Sequence, residues 1–130
     1  LTCEIELLAR LVGFRSVTDG PNLDLVDWVQ GRLAEAGFEV TRISSACGTK
    51  AGLLARFGAG PGGVLLSSHS DVVPVAGQHW QSDPFTLLEQ GDRLVGRGTT
   101  DMKGFLACAL ALAGRLKSSP LKRPVMVALS

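Results

Sequence analysis

Two stretches hold the residue types best suited to chemistry: His69-Ser70-Asp71-Val72-Val73-Pro74 and Gly96-Arg97-Gly98-Thr99-Thr100-Asp101-Met102-Lys103-Gly104. One imidazole and two carboxylates are the donor types of a zinc-type hydrolytic site. A His-x-Asp pair alone says little, because 12 acidic residues in 130 bring one near a histidine by chance, and a lone histidine also serves as a hydrogen-bonded core or loop residue. Its context is more telling. His69 follows an apolar, strand-like run, and residues i and i+2 of an extended segment point the same way. His69 and Asp71 can therefore face one pocket, with Asp71 accepting the second ring N–H and fixing the tautomer. Pro74 ends strand pairing just beyond them. Three such residues are too few for a working dinuclear centre, so half of an active site is expected.

Asp101 admits two readings. It caps or turns the chain before a helix, a common fate for Asp, or it bridges metal ions from a loop whose Gly98, Thr99 and Thr100 leave room. His79, in the polar segment Gly77-Gln78-His79-Trp80-Gln81, is expected to be an exposed loop histidine. Asp83 before Pro84 and Asp92 beside Gly91 read as turn residues. Arg97 and Lys103 suit an anionic substrate, a surface pair or a helix-start contact equally. Gly96-Arg97-Gly98 is no phosphate loop, because GxxxxGK[ST] is missing.

These residues need a frame. Apolar Ile5, Leu8, Leu11 and Val12 predict an amphipathic helix over Thr2–Val12. Asn22 is expected to cap a second helix running to Ala36, with Leu25, Val29 and Leu33 on one face and Gly37 as its stop. Residues 38–43 alternate as a half-exposed strand, and 51–57 read as another. The run 64–68 has the composition of a buried central strand, delivering His69 at its C-terminal end, where open α/β sheets place ligands. Gln90-Gly91-Asp92 marks a hairpin between Phe85–Glu89 and Arg93–Val95. Residues 103–117 predict a helix that is apolar almost all round and therefore buried, and 125–130 read as a core strand.

Composition bounds the function. A chain of 130 residues with 45% hydrophobic content buries roughly two-thirds of its unfolded surface as one domain. Thirteen basic and 12 acidic residues are interspersed, net +1, so neither nucleic acid nor an anionic membrane is an expected partner. The longest apolar stretch, Phe105–Ala113, is far short of the ~20 residues of a membrane span. Cys3, Cys47 and Cys108 are odd in number and widely spaced, which argues against a disulfide framework and for a reducing cytoplasm. Within its apolar run, Cys108 is expected to be a buried structural thiol. No signal peptide is visible. The chain starts at Leu1 and stops at Ser130, at the end of a strand-like run, so part of a longer protein is expected.

Leu66-Ser67-Ser68-His69-Ser70-Asp71-Val72-Val73-Pro74-Val75, Trp80-Gln81-Ser82-Asp83-Pro84-Phe85 and Gly96–Gly104 together closely resemble the M20 family of metallopeptidases and amidohydrolases. Val75–Phe85 and Phe105–Ala109 look most like the branch that deacetylates N-acetylornithine. Ser68 and Ser70 stand where glycine and threonine are frequent, both small changes. The resemblance implies a three-layer α/β/α sandwich with a mixed sheet, of which residues 1–130 are the N-terminal portion, without the inserted dimerisation domain. It implies that His69 binds one metal, Asp101 bridges two and Asp71 orients His69, with a cis Asp101–Met102 peptide. The metals would be two Zn²⁺, or Co²⁺, and the substrate a small N-acyl amino acid: N-acetylornithine, cleaved to ornithine and acetate in arginine biosynthesis. A homodimer is implied for the full-length protein. In the family a strand like 125–130 leads into a Glu-Glu pair that supplies the general base and a further ligand, so residues 1–130 alone are expected to be inactive. Desuccinylase or dipeptidase activity, or a non-catalytic interaction domain, are the alternatives.

Overall fold

The computed structural model describes residues 3–130. Helix α1 (Glu4–Gly13) buries Leu7, Leu8, Leu11 and Val12, and it carries Glu4 and Glu6 in its first turn and Arg10 in its last, matching the helix dipole. Its expected first residue, Thr2, lies outside the described residues. Helix α2 (Leu23–Glu35) buries Leu25, Val26, Val29 and Leu33. The chain leaves α2 through Gly37, whose φ of +88° suits glycine.

Strands β1 (Glu39–Ser44), β2 (Ala51–Phe57), β3 (Val64–Ser68) and β6 (Val125–Leu129) form one sheet in the order β1-β2-β6-β3. β1–β2 and β2–β6 are antiparallel and β3–β6 is parallel, so the sheet is mixed. Register explains its two faces. Val40, Ala55, Val127 and Leu66 align across the strands and join the core, whereas the next row contains exposed Thr41, Leu54 and Ser67. Helices α2 and α3 (Gly104–Leu116) pack on the sheet, and α1 packs on α3. The class is α/β, as the sequence implies, and the described residues supply the sheet and one helical layer. A small antiparallel hairpin, β4 (Leu88–Gln90) and β5 (Arg93–Val95), turns at Gly91–Asp92. It is shorter than expected, because Phe85 is buried in the turn before it.

Three expectations are corrected. β3 is an edge strand, paired only with β6 among the described residues, and its Val64 and Leu65 are 57% and 53% exposed. An apolar run is buried on both faces only where a layer packs on each face of the sheet, and the described residues supply one such layer. Helix α3 is not buried all round. Leu106, Ala107, Leu110 and Ala113 face the core, while Phe105, Cys108 and Leu112 face outward. Cys108 is therefore an exposed thiol, not a buried one. Asn22 precedes α2 but makes no side-chain capping bond. Its amide spans to β2, accepting from Ala51 N–H and donating to Ala51 C=O, both at 2.9 Å.

Candidate metal centre

His69 emerges from the C-terminal end of β3, and Ser70 fixes the backbone that carries it. Ser70 is 1% exposed. Its N–H donates to Ser130 C=O at 2.7 Å, its carbonyl accepts from Ser16 Oγ at 2.7 Å, and its hydroxyl accepts from Asn22 Nδ2 at 2.9 Å. With Ser70 turned inward, the alternation of extended chain turns His69 and Asp71 outward together. The loop after α1 runs alongside, bridging Val17 to Val72 in parallel fashion. Val72 N–H donates to Ser16 C=O at 2.8 Å, and Thr18 N–H donates to Val72 C=O at 3.1 Å.

The second stretch is brought in by a tight turn at Thr99–Lys103, where Asp101 and Met102 leave helical angles and the Asp101–Met102 peptide is cis. Gly98 makes this approach possible. Its φ is +82°, and a Cβ there would lie 2.6 Å from Val72 Cγ1. Lys103 N–H closes the turn onto Gly98 C=O at 2.8 Å, and His69 N–H meets Met102 Sδ at 3.4 Å.

The outcome is a linear constellation. His69 Nε2 lies 2.9 Å from Asp101 Oδ1. On the other side of the ring, Nδ1 lies 3.0 Å from the Asp71 carbonyl and 3.2 Å from Asp71 Oδ1. Both ring nitrogens thus face oxygen acceptors, yet a neutral imidazole carries only one N–H. With the proton on Nδ1, the Nε2 lone pair points at a carboxylate oxygen, and a cation at that position would turn the repulsion into attraction. The same geometry acts on a proton. Partial burial alone would lower the His69 pKa, but the hydrogen bonds to Asp101 and the Asp71 carbonyl, with the two carboxylate charges, raise it above its ordinary value.

This donor set suits a divalent metal. Imidazole nitrogen and carboxylate oxygen are ordinary zinc and cobalt ligands, and the Nδ1 side is held by the carboxylate–histidine pairing found behind metal ligands. The set is also partial: among the described residues no group of three or more His, Cys, Asp or Glu is arranged to hold a metal.

The remaining candidates separate. His79 is exposed on its loop, as expected. Asp83 makes a turn, accepting from Phe85 N–H at 3.0 Å and Thr86 Oγ1 at 2.9 Å; these bonds hold its pKa below the usual carboxylate range. Arg97 binds the Gln78 side chain and lies over the Trp80 ring, 5.1 Å from its centroid. Lys103 is not a surface residue. It is fully buried, its Nζ donates to Phe14 C=O at the end of α1 at 2.7 Å, and burial lowers its pKa to about 8. Ser16, Thr18 and the true role of Asn22 escape sequence reasoning. Thr18 Oγ1 donates to Asp71 Oδ2 at 2.8 Å, across 53 positions of sequence, and no local signal marks such a contact.

Residues 65–130 match the profile of peptidase family M20/M25/M40. The chain belongs to this family. The acetylornithine deacetylases of Erwinia tasmaniensis and Photorhabdus laumondii are each 37% identical to it over 131 aligned positions, covering 95% of this chain and 34% of theirs. The chain thus spans about a third of the length of these curated relatives. Among solved structures, human carnosine dipeptidase 1 superposes with a TM-score of 0.87 at 22% identity, covering 98% of this chain and 31% of that one. An M20 family metallo-carboxypeptidase from Sulfolobus solfataricus gives 0.84 at 21% identity, over 100% of this chain and 31% of that one. At these identities the likeness shows the fold, which is part of an M20-type α/β catalytic domain.

Proposed function

We propose that residues 1–130 form the N-terminal portion of the catalytic domain of a dinuclear metal-dependent amidohydrolase, and that the full-length protein hydrolyses N-acetylornithine to ornithine and acetate in arginine biosynthesis. The observation that carries the metal reading is the approach of His69 Nε2 to Asp101 Oδ1 with Asp71 behind the ring. The substrate reading rests on the 37% identity to acetylornithine deacetylases over nearly the whole chain.

In this reading His69 and Asp101 would hold the metal, Zn²⁺ or Co²⁺. When bound, the metal would supply Lewis acidity and a nucleophile at neutral pH. Asp71 keeps the ring proton on Nδ1, so Nε2 presents its lone pair, and the Asp71 charge raises imidazole basicity. The general base and the other ligands belong to the rest of the protein, as does a dimerisation domain, and a cytoplasmic homodimer is the expected setting.

The test uses the complete gene product that carries this chain. Zinc and cobalt content is measured, then acetate release from N-acetylornithine beside succinate release from N-succinyl-diaminopimelate and cleavage of a dipeptide panel. Acetate release that disappears on chelation and returns with metal is expected. His69→Ala and Asp101→Asn should each remove most bound metal, and unchanged metal content in both would overturn the site. Preference for a dipeptide or the succinyl substrate would move the protein to another branch of the family.

A further inference from the structure

We propose that Thr18 is a positioning residue of the metal centre, acting through Asp71 on His69. The inference rests on the metal-centre reading above and adds a member to it from a different part of the chain.

The Asp71 carboxylate has two oxygens and two neighbours: Oδ1 lies 3.2 Å from His69 Nδ1, whose nearer acceptor is the Asp71 main-chain carbonyl at 3.0 Å, and Oδ2 accepts from Thr18 Oγ1 at 2.8 Å. Rotation of a carboxylate about its last torsion is soft and roughly two-fold. The 3.2 Å contact to Nδ1 is at the long end of the hydrogen-bond range and competes with the Asp71 carbonyl at 3.0 Å, whereas the shorter hydroxyl bond to a charged acceptor is the stronger restraint. The other acceptor near the hydroxyl, Val72 C=O, is further at 3.3 Å and uncharged, so the single proton goes to Asp71.

Thr18 is itself held. Its N–H donates to Val72 C=O at 3.1 Å, its carbonyl accepts from Lys50 Nζ at 2.6 Å, and its neighbour Val17 bridges to Val72. The hydroxyl is therefore presented from backbone attached on two sides. A continuous chain of contacts results, from Thr18 to Asp71, His69 and Asp101. Loss of the hydroxyl frees the carboxylate to turn, which moves its charge relative to the Nδ1–H that the Asp71 carbonyl also accepts, without removing any ligand.

Thr18→Val keeps the β-branched shape and the main-chain bonds and deletes only the hydroxyl. Thr18→Ser restores it. Zinc affinity of the metal-free complete protein is measured by competition with a chromophoric chelator, for both variants, for Asp71→Asn and for the Thr18→Val/Asp71→Asn double variant. Because Thr18 acts at one remove and its bond is solvent-exposed, Thr18→Val should weaken zinc about threefold to tenfold, at or below the ~10–100-fold typical of a ligand's direct partner. Thr18→Ser should bind within about twofold of wild type. The double variant should be no weaker than Asp71→Asn alone, the non-additivity expected of residues in one network. A general structural role predicts independent, multiplying effects instead.

Wild-type affinity in Thr18→Val, equal losses in the Val and Ser variants, or multiplying effects in the double variant would each overturn the proposal. If Thr18→Val does not fold, Thr18→Ala and Thr18→Ser in the Asp71→Asn background carry the same comparison. His69→Ala separates the two failures. If it binds zinc normally, the metal centre and this inference fall together; if it loses zinc while Thr18→Val does not, only this inference fails.

Discussion

Against the lowering effect of partial burial, hydrogen bonds to Asp101 and the Asp71 carbonyl, and then the two carboxylate charges, raise the proton affinity of His69. Asp71→Asn in the complete protein should keep most of its metal while turnover falls ~10–100-fold, because Nδ1–H keeps its main-chain acceptor at residue 71 but the side chain loses the charge that adds to imidazole basicity. Metal analysis beside steady-state kinetics checks this, and wild-type turnover would return Asp71 to an ordinary loop residue. Cys47 offers a prediction away from the centre. Its sulfur lies 3.4 Å from Ser45 Oγ and 3.0 Å from Thr49 Oγ1, and hydrogen bonds from both hydroxyls stabilise the thiolate and lower the pKa to about 7. The Ser45 hydroxyl accepts from Lys50 N–H, which leaves its proton free for the sulfur. Alkylation of Cys47 by iodoacetamide should therefore rise through a midpoint near pH 7, read by peptide mass spectrometry. In a Ser45→Ala/Thr49→Val variant the midpoint should return towards the ~8.5 of an ordinary thiol. His69, Asp71 and Asp101 were legible in sequence because each sits in a short motif of distinctive residues. Thr18 was not, since its value comes wholly from a partner 53 residues away.

Among the elements, the loop between α1 and α2 does more than connect. Asn22, 8% exposed, replaces a cap with a clamp: one side chain joins β2 at Ala51 to the segment carrying His69 at Ser70. Asn22→Ala strands the Ala51 N–H and C=O and one bond of the Ser70 hydroxyl in a buried setting. A loss of about 2–4 kcal/mol in unfolding free energy follows from two unsatisfied main-chain groups, with the Ser70 hydroxyl losing one of its partners, measurable by urea denaturation. A change below 0.5 kcal/mol, the level of an ordinary surface substitution, would mean that water fills these roles. An Asn before an apolar periodic run predicts a cap, and the helix start was indeed found there. The clamp was invisible because strand pairing decides which backbone groups lie within reach. Helix α3 shows the reverse limit. Its outward Phe105, Cys108 and Leu112 are as apolar as its inward face, so periodicity had no contrast from which to choose a buried side.

At the scale of the molecule, the sheet has two unlike edges. On β1, Arg42 pairs with Asp27 of α2 and Glu39 adds another charge, features that discourage edge-to-edge pairing. β3 has none. Its Val64, Leu66 and Ser68 direct their main-chain groups to β6, as the Val64 N–H to Pro124 C=O and Ser130 N–H to Ser68 C=O bonds show. Alternation then turns the main-chain groups of Leu65 and Ser67 outward, beside apolar side chains that are more than half exposed at Val64 and Leu65. If His69 and Asp101 are the ligands proposed above, residues 1–130 expressed alone should bind zinc weakly, with two protein ligands where a catalytic zinc normally has three plus water, and should release no acetate from N-acetylornithine. They should also associate as concentration rises, through β3. Sedimentation velocity over a hundredfold concentration range reads the association, and Leu65→Lys should suppress it while leaving the thermal midpoint nearly unchanged, because this side chain lies outside the core. Persistent association in Leu65→Lys would assign it to the outward face of α3 instead, where Phe105→Glu or Leu112→Glu would then be the variant that restores the monomer.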